Sequence, residues 1–420
     1  MALSVRLYPV ITHPEQSRGG VGMFGDSFLY HNIAVNLYKG NGFSGTDDLK
    51  PNITRPPLYP LFMSGVYRLF GKASDLASAE TLHHSLDKVR MVQCILDALI
   101  CLVVFAMVRT IYAGSFWPAI LSAFLYCFSF YNIFYTRALL AESLTTFFIT
   151  LAVFFTALGL HQKKILWYCC AGAALGLTTL TRPEYILFAV FLALLVFGVS
   201  GKPLKIALVR SAAILLTTLL VVAPWTLRNY ITFKKFIPVS VSSFGMNLFS
   251  GTYESNTNWS GWDRLPKEAY TNEEEKALVL SLFQAHDGDG TQIEASDRAF
   301  LELALKRIRK DPLKCFSVWL ARIPRLWYQN AVPLYRDREA SGTYFIFYFI
   351  FAVYAFFSFP AEQRLFMAPA GLLFIYLTLI FLPSHIEPRY GVGAMPPLIG
   401  LTGLGLWKLV NSCLMRYNSP

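Results

Sequence analysis

Residues 91–108 read Met91-Val-Gln-Cys-Ile-Leu-Asp97-Ala-Leu-Ile-Cys-Leu-Val-Val-Phe-Ala-Met-Val108, with Asp97 the single charged side chain in the run. A bilayer core is matched by about 20 apolar residues in helical form. The run therefore reads as the middle of a span over 86–110. Comparable blocks follow at 116–134, 139–160, 165–181, 184–199, 207–227, 342–359, 365–382 and 393–411. Composition agrees: of 420 residues, 55% are hydrophobic and 15% charged, and the mean hydropathy is +0.44. An average soluble domain carries roughly 25% charged residues. A soluble enzyme and a disordered chain are excluded, and the fold class is an all-α polytopic membrane protein with about nine spans.

The placement of Lys and Arg sets the expected orientation, because both favour the cytoplasmic side. One set of short loops holds Arg109, Lys163, Lys164, Lys202, Lys205, Arg210, Arg364, Lys408 and Arg416. The opposite set holds Arg137, Arg182 and Arg389. The first set is taken as inward. The chain then divides into an outward segment over 1–85, a six-span bundle over 86–227, an outward cap with an interfacial helix over 228–341, and three spans over 342–420. The expected setting is a plasma (inner) membrane. Of the net charge of +11, the membrane portion carries +8, all of it in the inward loops. The basic excess is a topology signal and not a nucleic-acid footprint. An outward 1–85 calls for a translocating element ahead of it. Met1–Arg6 reads as the tail of an apolar helix, so either one more N-terminal span or a different start site is expected.

In 313–330, Phe316, Trp319, Leu320, Ile323 and Trp327 recur at helical spacing, Lys314, Arg322 and Arg325 lie off that stripe, and Pro324 interrupts it. An amphipathic helix in the interface fits better than a span. In the cap, Thr271 and Glu274 form a capping box ahead of a helix to about Ala285. A second helix near 293–309 turns Phe300, Leu303, Ala304 and Ile308 inward. A short helix after Asp26 has apolar positions at Leu29, Ile33, Ala34 and Leu37 and is closed by Gly40.

Asp26 admits two compatible readings: the N-cap of that helix, or a general base on the outer membrane face. In Thr54-Arg55-Pro56-Pro57-Leu58-Tyr59-Pro60, the prolines fix the backbone and hold Arg55 and Tyr59 in a rigid relation. Arg55 there either clamps a phosphate or anchors at the interface by snorkelling. Arg90, Gln93 and Asp97 share one helix face and read as a structural polar seam. Glu142, Arg182, Arg228 and Arg389 reach the same outward edge as Asp26 and Arg55. Four arginines on that side, against the topological bias, point to an anion there, and a lipid-linked phosphate is the natural candidate.

Other motifs are weak. Gly20-Val-Gly22-Met-Phe-Gly25 lacks the strand and βαβ unit a dinucleotide site requires, although Asp47 stands where a ribose-binding acid would. Asp287-Gly-Asp289 fails as a calcium loop, because its sixth position is Gln292 and its twelfth Arg298. The seven cysteines show no metal spacing, His83-His84 would point apart on a helix, and no motif requires a divalent metal or a cofactor. Asn52-Ile-Thr54 and Asn258-Trp-Ser260 are sequons with meaning only in a eukaryotic source.

Asp26-Ser-Phe-Leu-Tyr30 leading to Lys39-Gly-Asn-Gly-Phe43, followed by Arg55-Pro-Pro-Leu-Tyr-Pro60, resembles the opening outward loop of the GT-C glycosyltransferases. These membrane enzymes are related to the protein O-mannosyltransferases and to the bacterial aminoarabinose transferase that modifies lipid A. Arg137-Ala-Leu-Leu-Ala-Glu142, Gly176-Leu-Thr-Thr-Leu-Thr-Arg182-Pro183-Glu184, Pro224-Trp-Thr-Leu-Arg228-Asn229-Tyr230 and Glu387-Pro-Arg389-Tyr390 continue the resemblance in order over about 24–400. It implies a GT-C-like helical bundle with a small outward helical cap. Its implied activity is transfer of a sugar from a polyprenyl-phosphate carrier to a lipid, polysaccharide or protein acceptor on the outer membrane face. Asp26 and Glu142 match acidic catalytic positions, and Arg55 matches the basic residue that meets the donor phosphate. Tyr59, Arg182, Arg228 and Arg389 are the further donor-phosphate candidates. Two departures weigh against protein mannosylation: Ser27 follows Asp26 in place of a second acid, and no large appended sugar-binding domain is present.

The expected partners are a polyprenyl-phosphate sugar donor, membrane lipids and a glycan, lipid or protein acceptor, with no nucleic acid. The rival class is a polytopic transporter or lipid flippase, which would show discontinuous helices and a midplane site in two related halves. No internal repeat of that kind is visible.

Overall fold

In an apolar medium a chain must satisfy its own backbone, which favours helices, and all regular structure among the described residues is helical. The computed structural model describes residues 1–12, 26–45, 49–71, 79–201, 203–241, 243–254, 266–286, 290–327 and 338–417. It divides into two compact units: Met1–Val239 with Ile346–Leu373 and Val392–Pro420, and Ser240–Phe345 with Phe374–Gly391. The helices are α1 Ala2–Thr12, α2 Ser27–Lys39, α3 Leu58–Phe70, α4 Ala79–Ile111, α5 Trp117–Cys127, α6 Phe130–Tyr135, α7 Glu142–Gln162, α8 Ile165–Thr181, α9 Tyr185–Val199 and α10 Leu204–Phe233. They continue as α11 Phe244–Gly251, α12 Glu273–His286, α13 Gly290–Lys310, α14 Pro312–Ala321, α15 Ile323–Trp327, α16 Arg338–Ser358, α17 Ala361–Phe381 and α18 Met395–Tyr417.

Apolar helix covers much of each expected span, 116–134 being split in two. Among the described residues, five helices are long and apolar enough to cross a membrane: Ser85–Ile111, Glu142–Gln162, Leu204–Phe233, Ala361–Phe381 and Pro388–Met415. Trp117–Cys127, Ile165–Thr181, Tyr185–Val199 and Gly342–Ser358 are shorter apolar helices. The expected span 116–134 is broken at Phe128 and Ser129, where Ser129 turns extended and its hydroxyl donates to Asn132 Oδ1 at 2.8 Å.

That break explains a fully buried arginine. Arg6 on α1 pairs with Asp97 on α4. The same guanidinium donates to the Cys127 carbonyl at 3.0 Å and the Tyr126 carbonyl at 3.3 Å. It therefore neutralises the acid of the 91–108 run and caps the C-terminus of α5, where a cation is favoured. Tyr126 also donates to Asp97, at 2.6 Å. The other members of the α4 stripe satisfy irregular backbone between α6 and α7. Arg90 donates to the Arg137 carbonyl at 3.0 Å, and Gln93 donates to the Thr136 and Ala138 carbonyls at 2.9 Å each. The polar seam read from the sequence is a backbone-satisfying seam.

α8 and α10 approach closely through small residues. Gly172 and Gly176, spaced G-x-x-x-G on α8, face α10. A Cβ on Gly172 would overlap the Ile214 carbonyl and the Thr217 hydroxyl, and one on Gly176 would press on Val221. The Thr218 hydroxyl donates to the Gly172 carbonyl at 2.9 Å. Such spacing lets helix backbones meet and adds van der Waals contact where no hydrophobic drive exists between lipid-immersed helices.

In the second unit, Leu248, Phe249, Tyr253, Ala269, Val279, Phe283, Phe300 and Ala304 form a core under α11–α13. The cap of α12 sits one residue later than expected. Asn272 Oδ1 accepts the Glu275 N–H at 2.7 Å, and the Glu275 carboxylate accepts the Thr271 N–H at 2.7 Å. Asn outranks Thr at such a position. Of segment 313–330, residues 313–327 lie in α14 and the short α15, with Leu313, Phe316 and Leu320 exposed, while Arg322 and Arg325 are buried instead of lying on a polar face. Residues 13–25, 46–48, 255–265 and 287–289, which hold the glycine motif, Asp47, Asn258 and the Asp287 loop, lie outside the described residues.

The close approach of α8 to α10 is testable. Gly172→Ala is expected to destabilise by about 1–3 kcal/mol through overpacking, lowering the melting temperature in detergent. Gly198→Ala, with open space around it, should leave that temperature unchanged or slightly raised. Equal effects of the two would contradict the packing described.

Candidate active site

Asp26 stands at the N-cap of α2, but its backbone is already helical (φ −66°, ψ −16°) and its side chain makes no capping bond. The carboxylate instead accepts from Arg55 Nη2 at 2.7 Å. Arg55 is delivered by a turn that Asn52 builds. Asn52 Oδ1 accepts the Thr54 N–H at 3.0 Å and the Arg55 N–H at 3.2 Å, an Asx arrangement that commits this sequon asparagine to structure. Pro56 and Pro57 then lead into α3. The two side chains are 30% and 31% exposed, so the pair contributes at most about 1 kcal/mol to stability. Two chemically useful groups are thus held together at little energetic consequence to the fold.

Glu142 and Arg182 are paired differently. Glu142 begins α7 and Arg182 follows α8. The guanidinium grips Glu142 with one nitrogen and Glu184 with another, at 3.1 Å. The Glu142 side chain is only 2% exposed. Tyr30, buried on α2, lies where both pairs make themselves felt. Burial pushes its phenol well above the ordinary range, Asp26 and Glu142 push further, and Arg55 and Arg182 oppose them. Its ring meets Tyr59 edge-on at 5.1 Å. The charges of Asp26, Arg55, Glu142 and Arg182 thus all act on this one phenol. Tyr30 lies in a quoted motif, yet no spacing rule marked it.

Tyr59 departs from the expected role. It is fully buried and its hydroxyl donates to Gln93 Oε1 at 2.6 Å, so it belongs to the helix seam. Arg228 donates to the Asn52 carbonyl at 3.2 Å and lies over Trp225 at 4.7 Å and Phe43 at 5.5 Å. It fastens the turn that presents Arg55.

Arg389 belongs to the second unit. Its Nε lies 2.7 Å from Glu387 Oε2 and its Nη2 donates to Oε1 at 3.1 Å. Behind this pair stands His385, which sequence reading missed. Its Nδ1 lies 2.8 Å from Glu254 and its Nε2 3.3 Å from Glu387. Burial alone would lower the His385 pKa, but the two carboxylates bring it up to about 9. Burial alone would raise Glu387, but Arg389 and His385 bring it down to about 2. Among the described residues no group of three or more His, Cys, Asp or Glu side chains is placed to hold a metal ion.

The burial of Glu142 makes its partner indispensable. Arg182→Met is expected to cost about 3–5 kcal/mol, the usual loss when one side of a buried pair is removed, and adding Glu142→Gln should restore most of it. Melting temperatures of the single and double variants in detergent check this, and equal losses would contradict it.

Residues 52–238 match the family model described as dolichyl-phosphate-mannose-protein mannosyltransferase. No curated protein matches the chain. Among solved structures, the Archaeoglobus fulgidus oligosaccharyltransferase in the apo form aligns at TM-score 0.60 and 14% identity, over 99% of this chain and 50% of that one. The archaeal oligosaccharyltransferase AglB from Archaeoglobus fulgidus, in complex with an inhibitory peptide and a dolichol-phosphate, aligns at TM-score 0.55 and 14% identity, with the same coverage. ArnT from Cupriavidus metallidurans bound to undecaprenyl phosphate aligns at TM-score 0.44 and 13% identity, over 92% of this chain and 74% of that one. The chain spans about half the length of the archaeal structures it matches. The chain has the fold of the GT-C membrane glycosyltransferases, and 52–238 is the part that matches the mannosyltransferase family.

Proposed function

We infer that this protein is a glycosyltransferase that moves a sugar from a polyprenyl-phosphate carrier to a hydroxyl of a lipid, polysaccharide or protein acceptor, at the outer face of its membrane. The observation that carries this reading is the partly exposed pair of Asp26 and Arg55, a proton acceptor and a phosphate ligand 2.7 Å apart. The family match over 52–238 includes Arg55, Glu142, Arg182 and Arg228, and the archaeal structure of the same fold is solved with a dolichol-phosphate.

The acceptor oxygen attacks the anomeric carbon while the bond from that carbon to the phosphate oxygen breaks, and the electron pair leaves with the lipid phosphate. Asp26 takes the acceptor's proton as general base. Arg55 stabilises the charge gathering on the leaving phosphate, and a guanidinium can do so with two parallel hydrogen bonds. The phosphate and Asp26 compete for the same cation, so donor binding frees the carboxylate to face the acceptor. Glu142 holds Arg182, whose charge acts on Tyr30, and Arg228 holds the Asn52 turn. Arg389, aimed by Glu387, is assigned as a phosphate ligand on its own unit.

Asp26→Asn should abolish transfer while leaving the melting temperature and donor binding in place, because it removes the base and not the fold. Arg55→Ala should raise the donor concentration needed for half-maximal rate by at least about tenfold, the scale of a lost charge-assisted contact. Transfer of radiolabelled sugar from a polyprenyl-phosphate donor, with the donor titrated, reads both. Full activity in Asp26→Asn would falsify the assignment of the base. An unchanged donor requirement in Arg55→Ala would make that residue an anchor.

A further inference from the structure

Both ring nitrogens of His385 face carboxylates, Nδ1 toward both oxygens of Glu254 at 2.8 and 2.9 Å and Nε2 toward Glu387 at 3.3 Å. A carboxylate only accepts hydrogen bonds, and a neutral imidazole has one donor and one lone pair. A neutral ring would turn its lone pair on one of these two acids. Only the imidazolium, with two donors, fits this place. His385 is 5% exposed and its backbone N–H donates to the Asn247 carbonyl at 2.8 Å, so the ring has little freedom to turn away.

The ring is one link of a longer chain. Glu254, three residues past α11, faces both His385 and Arg322, whose Nη1 lies 3.7 Å away. Arg322 is fully buried and donates to the Gly251 and Leu382 carbonyls at 3.0 and 3.2 Å. Arg325, also buried, feels the charges of both Glu254 and Glu387. Tyr390 meets the His385 ring edge-on at 6.5 Å. Glu387 in turn holds Arg389 by both its oxygens. Glu387 is thus pulled by a cation on either side, and its orientation decides where the Arg389 guanidinium points.

We propose that His385 is a positioning residue, an imidazolium bridge between Glu254 and Glu387 that fixes the carboxylate aiming Arg389 and so sets the affinity for a polyprenyl phosphate. This rests on the assignment of Arg389 as a phosphate ligand. The proton on His385 links phosphate affinity to pH in one direction. Affinity is full where the ring is charged and falls as pH rises through the value of about 9 that the two carboxylates impose.

Two measurements on the full chain in lipid nanodiscs test this. Histidine-selective 15N NMR at pH 8 should show one doubly protonated ring whose signal is missing from His385→Gln. Undecaprenyl phosphate is the binding probe. It holds its charge above about pH 7.5, its second ionisation lying near 6. Wild-type affinity should fall about tenfold between pH 7.5 and 10 with its midpoint near the ring's titration. His385→Gln should bind about tenfold more weakly at pH 7.5, with no further pH dependence. Glu254→Gln should move the midpoint down by about one pH unit, since it removes one of the two stabilising charges, and a merely structural contact would not shift it. Wild-type binding by Arg389→Ala would overturn the phosphate assignment and the bridge with it. Weakened binding by Arg389→Ala, alongside a neutral His385 at pH 8 or an unaffected His385→Gln, would leave that assignment standing and overturn the bridge alone.

Discussion

A charge that enters an apolar bundle has to meet an opposite charge within hydrogen-bonding reach, because an unpaired buried ion costs several kcal/mol. Asp97 is the single charged side chain of the 91–108 run, and its partner Arg6 comes from α1 at the other end of a long sequence separation. The pairing fastens α1 to α4. It also places a guanidinium where α5 ends, so that the Tyr126 and Cys127 carbonyls exposed by the helix break are satisfied. Arg90 and Gln93 extend the same principle to the irregular chain between α6 and α7. The backbone that precedes Glu142 is therefore held by side chains of α4, and the candidate site inherits its rigidity from that seam.

The ion pairs of the first unit are graded by exposure, and the grading separates scaffold from chemistry. Arg6–Asp97 is sealed, and Glu142 is nearly so. Removing one member of such a pair strands a charge. Asp26–Arg55 is open on both sides by about a third, where solvent screens the attraction and the bond adds little stability. A pair that contributes so little to the fold and yet joins a carboxylate to a guanidinium is suited to exchanging partners with a ligand. A transporter would instead place its polar groups along a path between discontinuous helices. Here the charges of two pairs, Asp26–Arg55 and Glu142–Arg182, act on one phenol, that of Tyr30.

Much of this was legible from the sequence, for physical reasons. Bilayer thickness sets the length of apolar runs, so the run around Asp97 and its neighbours could be located within a few residues. The i, i+3, i+7 spacing of Arg90, Gln93 and Asp97 placed them on one face. What those residues touch was not legible, since Arg6, Tyr59 and the Thr136 carbonyl arrive from elsewhere in the chain. The expected span 116–134 hid its break, because Ser129 and Asn132 are too small a polar interruption to register in an apolar block. Arg322 and Arg325 were placed off the apolar stripe of a helix, but α14 ends at Ala321 and the stripe does not continue through them. Tyr59 carried a rigid motif and proved to be a seam residue, while Tyr30 carried no signal beyond its place four residues after Asp26. His385 and Glu254 are far apart in sequence, and nothing short of the fold could join them.

The most direct measurement is the fate of a radiolabelled polyprenyl-phosphate sugar in proteoliposomes that contain the purified chain and membrane acceptors. A glycosyltransferase built on Asp26 and Arg55 predicts that label passes to the acceptor and that free polyprenyl phosphate accumulates in equal amount. Label that stays on its lipid and only changes leaflet would contradict the account and identify a lipid transporter.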